Sequence, residues 1–209
     1  GPLLPGAPGF LLYAKPAGSP PGTRLLEGPV DLSEYEGPTG CKTPNHGLPR
    51  FRHCAFAAAY SLGQVLLSDP AIPLNVRLEA FNPLIPGDAD ASGIPVAILR
   101  YVLTNPTGRP VTASICGSLP NFIGDDGVEK LGKANRNRFR KTERLKGIFM
   151  DSRGVDPKAA TWGTLALATS SRDGVTYRTA WKEAGWGSQA LDFWDDFSSD
   201  GELEPRASR

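Results

Sequence analysis

Sulfur and imidazole are scarce in this chain: three cysteines, one methionine and two histidines among 209 residues. Cys41, Cys54 and Cys116 are odd in number and lack any C-x-x-C spacing, which excludes a disulfide framework and points to a reducing, cytoplasmic setting. The zinc-compatible types Cys41, His46, His53 and Cys54 match no recognised zinc spacing; His53 and Cys54 are adjacent, so in a strand they face opposite ways. No apolar run approaches the ~20 residues that a spanning helix requires. The opening GPLLPGAPGFLLYAKPAG has neither the basic start nor the unbroken apolar segment of a signal peptide, and a first residue of Gly1 reads as mature or cut chain. A net charge of +1 exerts no general pull towards nucleic acid or a membrane. Also missing are a G-x-S-x-G elbow, a phosphate loop, and a Cys–His pairing at usable spacing.

Turn-formers are plentiful instead. With 24 glycines and 20 prolines and no long Ala/Leu/Glu/Lys-rich run, the composition predicts an all-β protein, a large antiparallel β-sandwich with one short C-terminal amphipathic helix. The organising stretch is Pro73 to Pro106. Leu74, Val76, Leu78 and Ala80 fall on one side of an extended chain and Asn75, Arg77 and Glu79 on the other, the pattern of a half-buried strand. LIPGDADASG then reverses the chain. From Ile94 to Thr104 both alternating sets are apolar, which predicts a strand covered on both faces near the middle of a sheet.

Elsewhere, Gly9 to Lys15 and Thr23 to Glu27 read as short strands, and Gly28 to Pro49 as a long loop. Arg52 to Leu67 is divided into two strand segments, since Gly63 interrupts any helix and VLL favours a strand. Val111 to Ile115 alternates and is expected beside Ile94 to Thr104. Pro120 to Asn137 reads as loop. Strands are then expected at Lys146 to Ser152, Thr161 to Ser170 and Val175 to Trp181, the last two joined by a turn at Asp173-Gly174. Ala190, Phe193, Trp194 and Phe197 recur at helical spacing with Asp192, Asp195 and Asp196 opposite, marking a helix that stops near Gly201.

Three constellations could carry chemistry. Asp88-Ala-Asp90-Ala-Ser92-Gly93 matches the opening of a calcium loop, but the twelfth position is Leu99, where a bidentate Glu is needed, so a loop whose carboxylates accept backbone N–H bonds is the preferred reading. Lys133 to Lys146 carries seven basic residues against Glu143; if extended, Arg136, Arg138 and Arg140 share a face that could follow a phosphate backbone. Only Phe139 offers stacking there, and a solvated loop is preferred over nucleic-acid binding. Trp162, Trp181, Trp186 and Trp194 could stack on sugar rings, though aromatics so placed more often pack inside the protein.

The words VRLEAFNPLIPGDADASGIPVAILRYVLTNP, PNHGLPRFRHCAFAAAY and GQVLLSDPAIPL, continued by NRNRFR, GIFM, WGTLALAT and ALDFWDDFSSDGELEP, closely resemble the N-terminal domain of glycoside hydrolase family 116, over Gly9 to Pro205. That family contains β-glucosidases and the non-lysosomal glucosylceramidase. The resemblance implies a β-sandwich preceding an (α/α)6 barrel in the same polypeptide, with the nucleophilic Glu and acid/base Asp of a retaining mechanism in that barrel. No catalytic residue is therefore carried over, no cofactor is implied, and the 209 residues alone are expected to be inactive. The family usually opens with a glycine-rich segment and continues its sandwich past the position of Pro205, so residues 1–209 read as part of the N-terminal domain. Expected partners are the C-terminal barrel and, for the parent enzyme, a β-glucoside or glucosylated lipid. Asp88, Asp90, Trp186, Phe193 and Trp194 are the candidates for facing the barrel or the substrate entrance. The rival reading is an autonomous carbohydrate-binding sandwich that uses the tryptophans.

Overall fold

The computed structural model describes residues 9–31, 33, 47–125, 134–172, 174–182 and 188–206. Along the chain come β1 (Gly9–Pro16), β2 (Gly22–Leu25), β3 (His53–Ala59), β4 (Leu62–Ser68), β5 (Asn75–Phe81), the helical turn α1 (Ala89–Ser92), β6 (Ile98–Thr104), β7 (Val111–Ser118), β8 (Asn135–Lys141), β9 (Lys146–Ser152), β10 (Leu165–Thr169) and α2 (Ser188–Asp200). The strands form three antiparallel sheets, ordered β2-β1-β7, β3-β4-β5-β6 and β10-β9-β8, so the all-β expectation holds. Two compact units result, one from Phe10 to Ile115 and one from Cys116 onward.

The first unit has two layers. Alternation places Leu67, Val76 and Leu103 side by side across β4, β5 and β6, with Val65, Leu78 and Tyr101 in the next row but one. This face meets Leu12 and Ala14 of β1 and Val111 and Ala113 of β7, and Leu26, Phe51, Ile72 and Leu74 complete the core. Removing each large side chain of that core from water is worth about 1.5–3 kcal/mol. The Arg52 to Leu67 region does divide into two strands, paired from His53↔Ser68 to Ala59↔Leu62 around a two-residue turn in which Ser61 takes a φ of 70°.

One charge is buried beside this core. Asp69 accepts N–H from Ala71 at 2.8 Å and from the Arg24 guanidinium at 3.2 Å. Burial pushes its carboxyl up, but the Ala71 N–H, Arg24 and Arg52 together outweigh burial and hold it below the usual value.

Two expectations for this unit are corrected. Ile94 to Thr104 is not a doubly covered central strand: Ile94 and Val96 are exposed in the segment before it, and β6 begins at Ile98, lies at the edge of its sheet and exposes Ile98 and Leu99. Its apolar double face is real, yet only Tyr101 and Leu103 reach the core. Nor does β7 lie beside β6. After the turn at Asn105 to Pro110 the chain crosses to the other layer and β7 joins β1, where Val111 and Ala113 can be buried.

In the second unit Met150, Ile148, Leu165 and Leu167, on one face of β9 and β10, pack with Leu119, Ile123 and Val155. Here β8 replaces an expected loop. Its outward residues are Arg136, Arg138 and Arg140, while Asn135 and Asn137 stand where apolar residues would normally reveal the alternation. Their amide nitrogens find partners internally, while the buried Asn135 Oδ1 accepts no hydrogen bond among the described residues. Asn121 donates to the Asn137 Oδ1 at 3.0 Å, Asn135 donates to the carbonyls of Asn121 (3.1 Å) and Ile123 (3.0 Å), and Asn137 donates to the carbonyl of Thr179 at 2.9 Å. Val175 to Trp181, in contrast, is not a strand. Its pairing is a single parallel bridge, Arg178↔Arg206, because Arg178 is drawn inward by carboxylates and Tyr177 stacks on Phe139 at 3.8 Å. Asp173 of the expected turn lies outside the described residues. The helix α2 forms as the periodicity indicates, with Ala190, Phe193 and Phe197 buried and Gly201, at a φ of 84°, closing it by an N–H to the carbonyl of Phe197.

Gly147 marks the closest approach between strands: a Cβ there would lie 2.2 Å from the Leu167 carbonyl oxygen and 2.5 Å from the Ala168 Cα. Gly147→Ala is expected to separate β9 from β10 and to cost about 2 kcal/mol in denaturant unfolding. Asp69→Ala strands Arg24 and the Ala71 N–H, with an expected loss of about 3 kcal/mol. Because the folded carboxyl titrates below the unfolded value of about 4, Asp69 stabilises fully above that pH and ceases to as pH falls through the folded value. The Asp69→Ala protein should therefore show a shallower acid dependence of its unfolding free energy.

Candidate interaction surface

The four-stranded sheet is longer than the layer that covers it. Beyond the core rows lie Ala58, Gly63, Ala80 and Leu99, then Ala59, Leu62, Phe81 and Ile98. The turn at Tyr60-Ser61 and the β5–β6 loop both emerge at this end. Here Phe56 is 72% and Tyr60 90% exposed, and Phe81, Leu84, Ile85, Ile94, Ile98 and Leu99 are exposed too. Along β3 every side chain is exposed, and the strand forms a sheet edge without a proline or a charged residue after His53. Protein edges are normally guarded by such residues. An apolar edge and an apolar sheet end together are the signature of a surface meant to be covered.

Asp88 and Asp90 sit in this region. Asp88 caps α1 by accepting the Ala91 N–H at 2.9 Å, and Gly87, at a φ of 86°, makes the bend before it. The Ser92 hydroxyl accepts the Ile85 N–H at 2.9 Å and donates to the Ile85 carbonyl at 3.1 Å. The loop is thus braced by its own hydrogen bonds, with Leu84, Ile85 and Ile94 turned outward. Asp88 serves as the backbone acceptor that the sequence suggested; Asp90 stands exposed on the same turn. The exposed end of β3 and β4 went unnoticed in the sequence. Its signal was CAFAAAY, a run of small apolar residues with no charge to guard an edge.

The remaining candidates belong to the second unit. Phe193 is buried there, stacked on Trp181 at 5.0 Å, and Trp194 is half-buried on α2. Trp186 lies outside the described residues, as do Cys41, His46 and Lys133. Trp162 is exposed by itself. His53 and Cys54 face opposite sides of β3, and Cys54 packs on Gly28. Among the described residues no three His, Cys, Asp or Glu side chains cluster as metal ligands would, and no helix is long and apolar enough to cross a membrane.

On the acidic face of α2, Asp195 is exposed while Asp192 and Asp196 meet arginine. Arg178, almost fully buried, donates to Asp192 at 2.9 Å and to the Glu204 carbonyl at 3.0 Å, and pairs with Asp196 at 2.7 Å. Arg206 reaches Asp192 at 2.7 Å. Burial pushes the Asp192 carboxyl up, but Arg206 and Arg178 outweigh it and hold it low. Cys116 is close enough to feel this cluster, yet burial pushes its thiol up to about 12, so it is no nucleophile at neutral pH. These acids clamp a helix. Asp192 is held as an anion by Arg206 and Arg178, the opposite of what a general acid needs.

Residues 9–209 match a protein-family model described as beta-glucosidase 2, glycosyl-hydrolase family 116 N-term. A search of curated proteins gave no match.

Arg178→Met keeps most of the buried stem but leaves Asp192 and Asp196 without their shared cation. The expected cost is about 3 kcal/mol, read by unfolding monitored through tryptophan fluorescence. Since the Asp192 carboxyl is held below its unfolded value, the clamp is intact above about pH 4 and loosens as pH falls through the folded value. Acid should therefore release α2 in the native protein, and the Arg178→Met protein should lack that step.

Proposed function

The chain belongs to glycosyl-hydrolase family 116, through the N-terminal part of that family, and on this premise we propose that it is a non-catalytic portion of the N-terminal sandwich of a retaining β-glucosidase. Its role is to support the catalytic (α/α)6 barrel of the same polypeptide. The observation that carries this reading is the exposed apolar end of the four-stranded sheet, with Phe56 and Leu99 on its core-facing side, Phe81 and Ile98 on the other and Tyr60 in the turn, a sheet end that suits a domain held permanently in place. Asp88 and Asp90, on their braced loop at the same end, are proposed to line the approach to the substrate, with Trp194 and Trp186 as further candidates for contact with the barrel. Phe193 is already used inside its own unit. The substrate of the parent enzyme is proposed to be a β-glucoside, with glucosylated lipids such as glucosylceramide within the class. An exposed, unpaired Cys54 suits a reducing, cytoplasmic location.

Sugar binding by the tryptophans alone has less support, since Trp181 spends its face on Phe193 and Trp162 stands by itself among the described residues. A stacking platform needs flat faces that are free.

The purified 209-residue chain is expected not to hydrolyse a chromogenic β-glucoside and not to change its tryptophan fluorescence with gluco-oligosaccharides. Hydrolysis abolished by Asp88→Asn or Asp90→Asn would overturn the non-catalytic role, and saturable sugar binding would favour the autonomous module. In the polypeptide that includes the barrel, Phe56→Asp with Leu99→Asp is expected to lower the melting temperature and reduce kcat. Unchanged melting and turnover would show that this sheet end is not what the barrel covers.

A further inference from the structure

We infer that the β8–β9 hairpin is a docking face for anionic lipid headgroups at a membrane surface. This inference does not depend on the glucosidase reading. The chain carries a net charge of only +1, yet between Asn135 and Ser152 six basic residues stand against Glu143 and Asp151. The fold divides them into two groups. Arg136 and Arg138 both pair with Asp151, so the inner part of the face carries one cation more than its carboxylate offsets. Towards the tip Arg140, Lys141 and Arg144 stand against Glu143. Arg140 lies over the ring of Phe149 at 3.8 Å, and Lys141 and Lys146 are paired across the last rung of the ladder. Arg144 is exposed in the turn, and Lys146 donates to the carbonyl of Arg172, which brings a further cation to this end of the sheet.

The tip is built to hold its shape. Thr142 N–H donates to the Leu145 carbonyl at 2.8 Å, and the Thr142 hydroxyl accepts the N–H groups of Leu145 (3.0 Å) and Arg144 (3.3 Å). This turn presents Leu145, 51% exposed, between Arg144 and Lys146. An apolar side chain at the apex of a rigid cationic hairpin matches a membrane interface, where headgroup phosphates meet the cations and the leucine enters the acyl boundary. A nucleic acid fits less well. Phe139 is stacked on Tyr177, and Phe149 is covered by Arg140, so this face has no open aromatic ring for a base.

The test is co-sedimentation of the purified chain with phosphatidylcholine vesicles, with and without phosphatidylserine. Binding is expected only to the anionic vesicles and to fall as salt is raised. Each tip cation removed should weaken it about five-fold, so Arg140→Gln with Lys141→Gln and Arg144→Gln should lose on the order of 100-fold. Leu145→Ser should weaken binding to vesicles while leaving retention on heparin unchanged. Circular dichroism melts of each variant exclude misfolding as the cause. Vesicle binding untouched by the triple substitution would overturn the inference. Retention of duplex DNA without vesicle binding would overturn it in favour of a nucleic-acid face.

Discussion

Burial of Leu12, Phe51, Leu67 and Val76 between β1 and the middle strands of the four-stranded sheet is the constraint on which the unit from Phe10 to Ile115 depends. It fixes which face of β4 and β5 turns inward, because a one-residue slip would send every one of those side chains to the opposite side. It also fixes what is left over. The covering layer is three strands wide and the lower sheet four; among the described residues β3 pairs with β4 alone, and the far rows from Ala58 to Leu99 have no layer above them. The surface proposed to receive another domain is therefore a by-product of where the core stops.

The second unit uses polar groups where the first uses hydrocarbon. Asn121, Asn135 and Asn137 bind one another and nearby carbonyls beside a small apolar cluster, and Arg178 binds two carboxylates and a carbonyl beneath α2. Such groups are worth little when merely present and costly when broken, since each partner removed leaves a desolvated dipole or charge behind. They give this part of the chain its register without the apolar alternation that ordinarily specifies it. At the hairpin tip the sequence sets Arg140, Lys141 and Arg144 against one acid, Glu143.

These choices explain where local reading worked and where it did not. Alternation located β5 and the helical spacing from Ala190 to Phe197 located α2, because in both cases the apolar residues that mark the period are the ones that become buried; β3 and β4 followed from the break at Gly63, which lies inside β4 just after the turn at Tyr60-Ser61. β8 escaped because its inward residues at 135 and 137 are asparagines. Val175 to Trp181 imitated a strand because its alternation is genuine, but the inward member is Arg178, and its partners lie on α2, out of view of any local window. β6 looked central because both its faces are largely apolar, a composition that an edge strand can share with a strand covered on both sides.

Taken alone, the sequence determined the all-β class, the turn positions, the terminal helix and the family resemblance, all of which rest on local periodicity, backbone preference or words of residues. Only the tertiary structure decided that β7 leaves β6 for β1, that the chain makes two units, that Asp192 and Asp196 face an arginine instead of water, and that Phe56, Tyr60 and Leu99 at one end of the large sheet are exposed. Those outcomes follow from competition among distant segments for a limited amount of buried surface, and that competition has no counterpart in the order of residues along the chain.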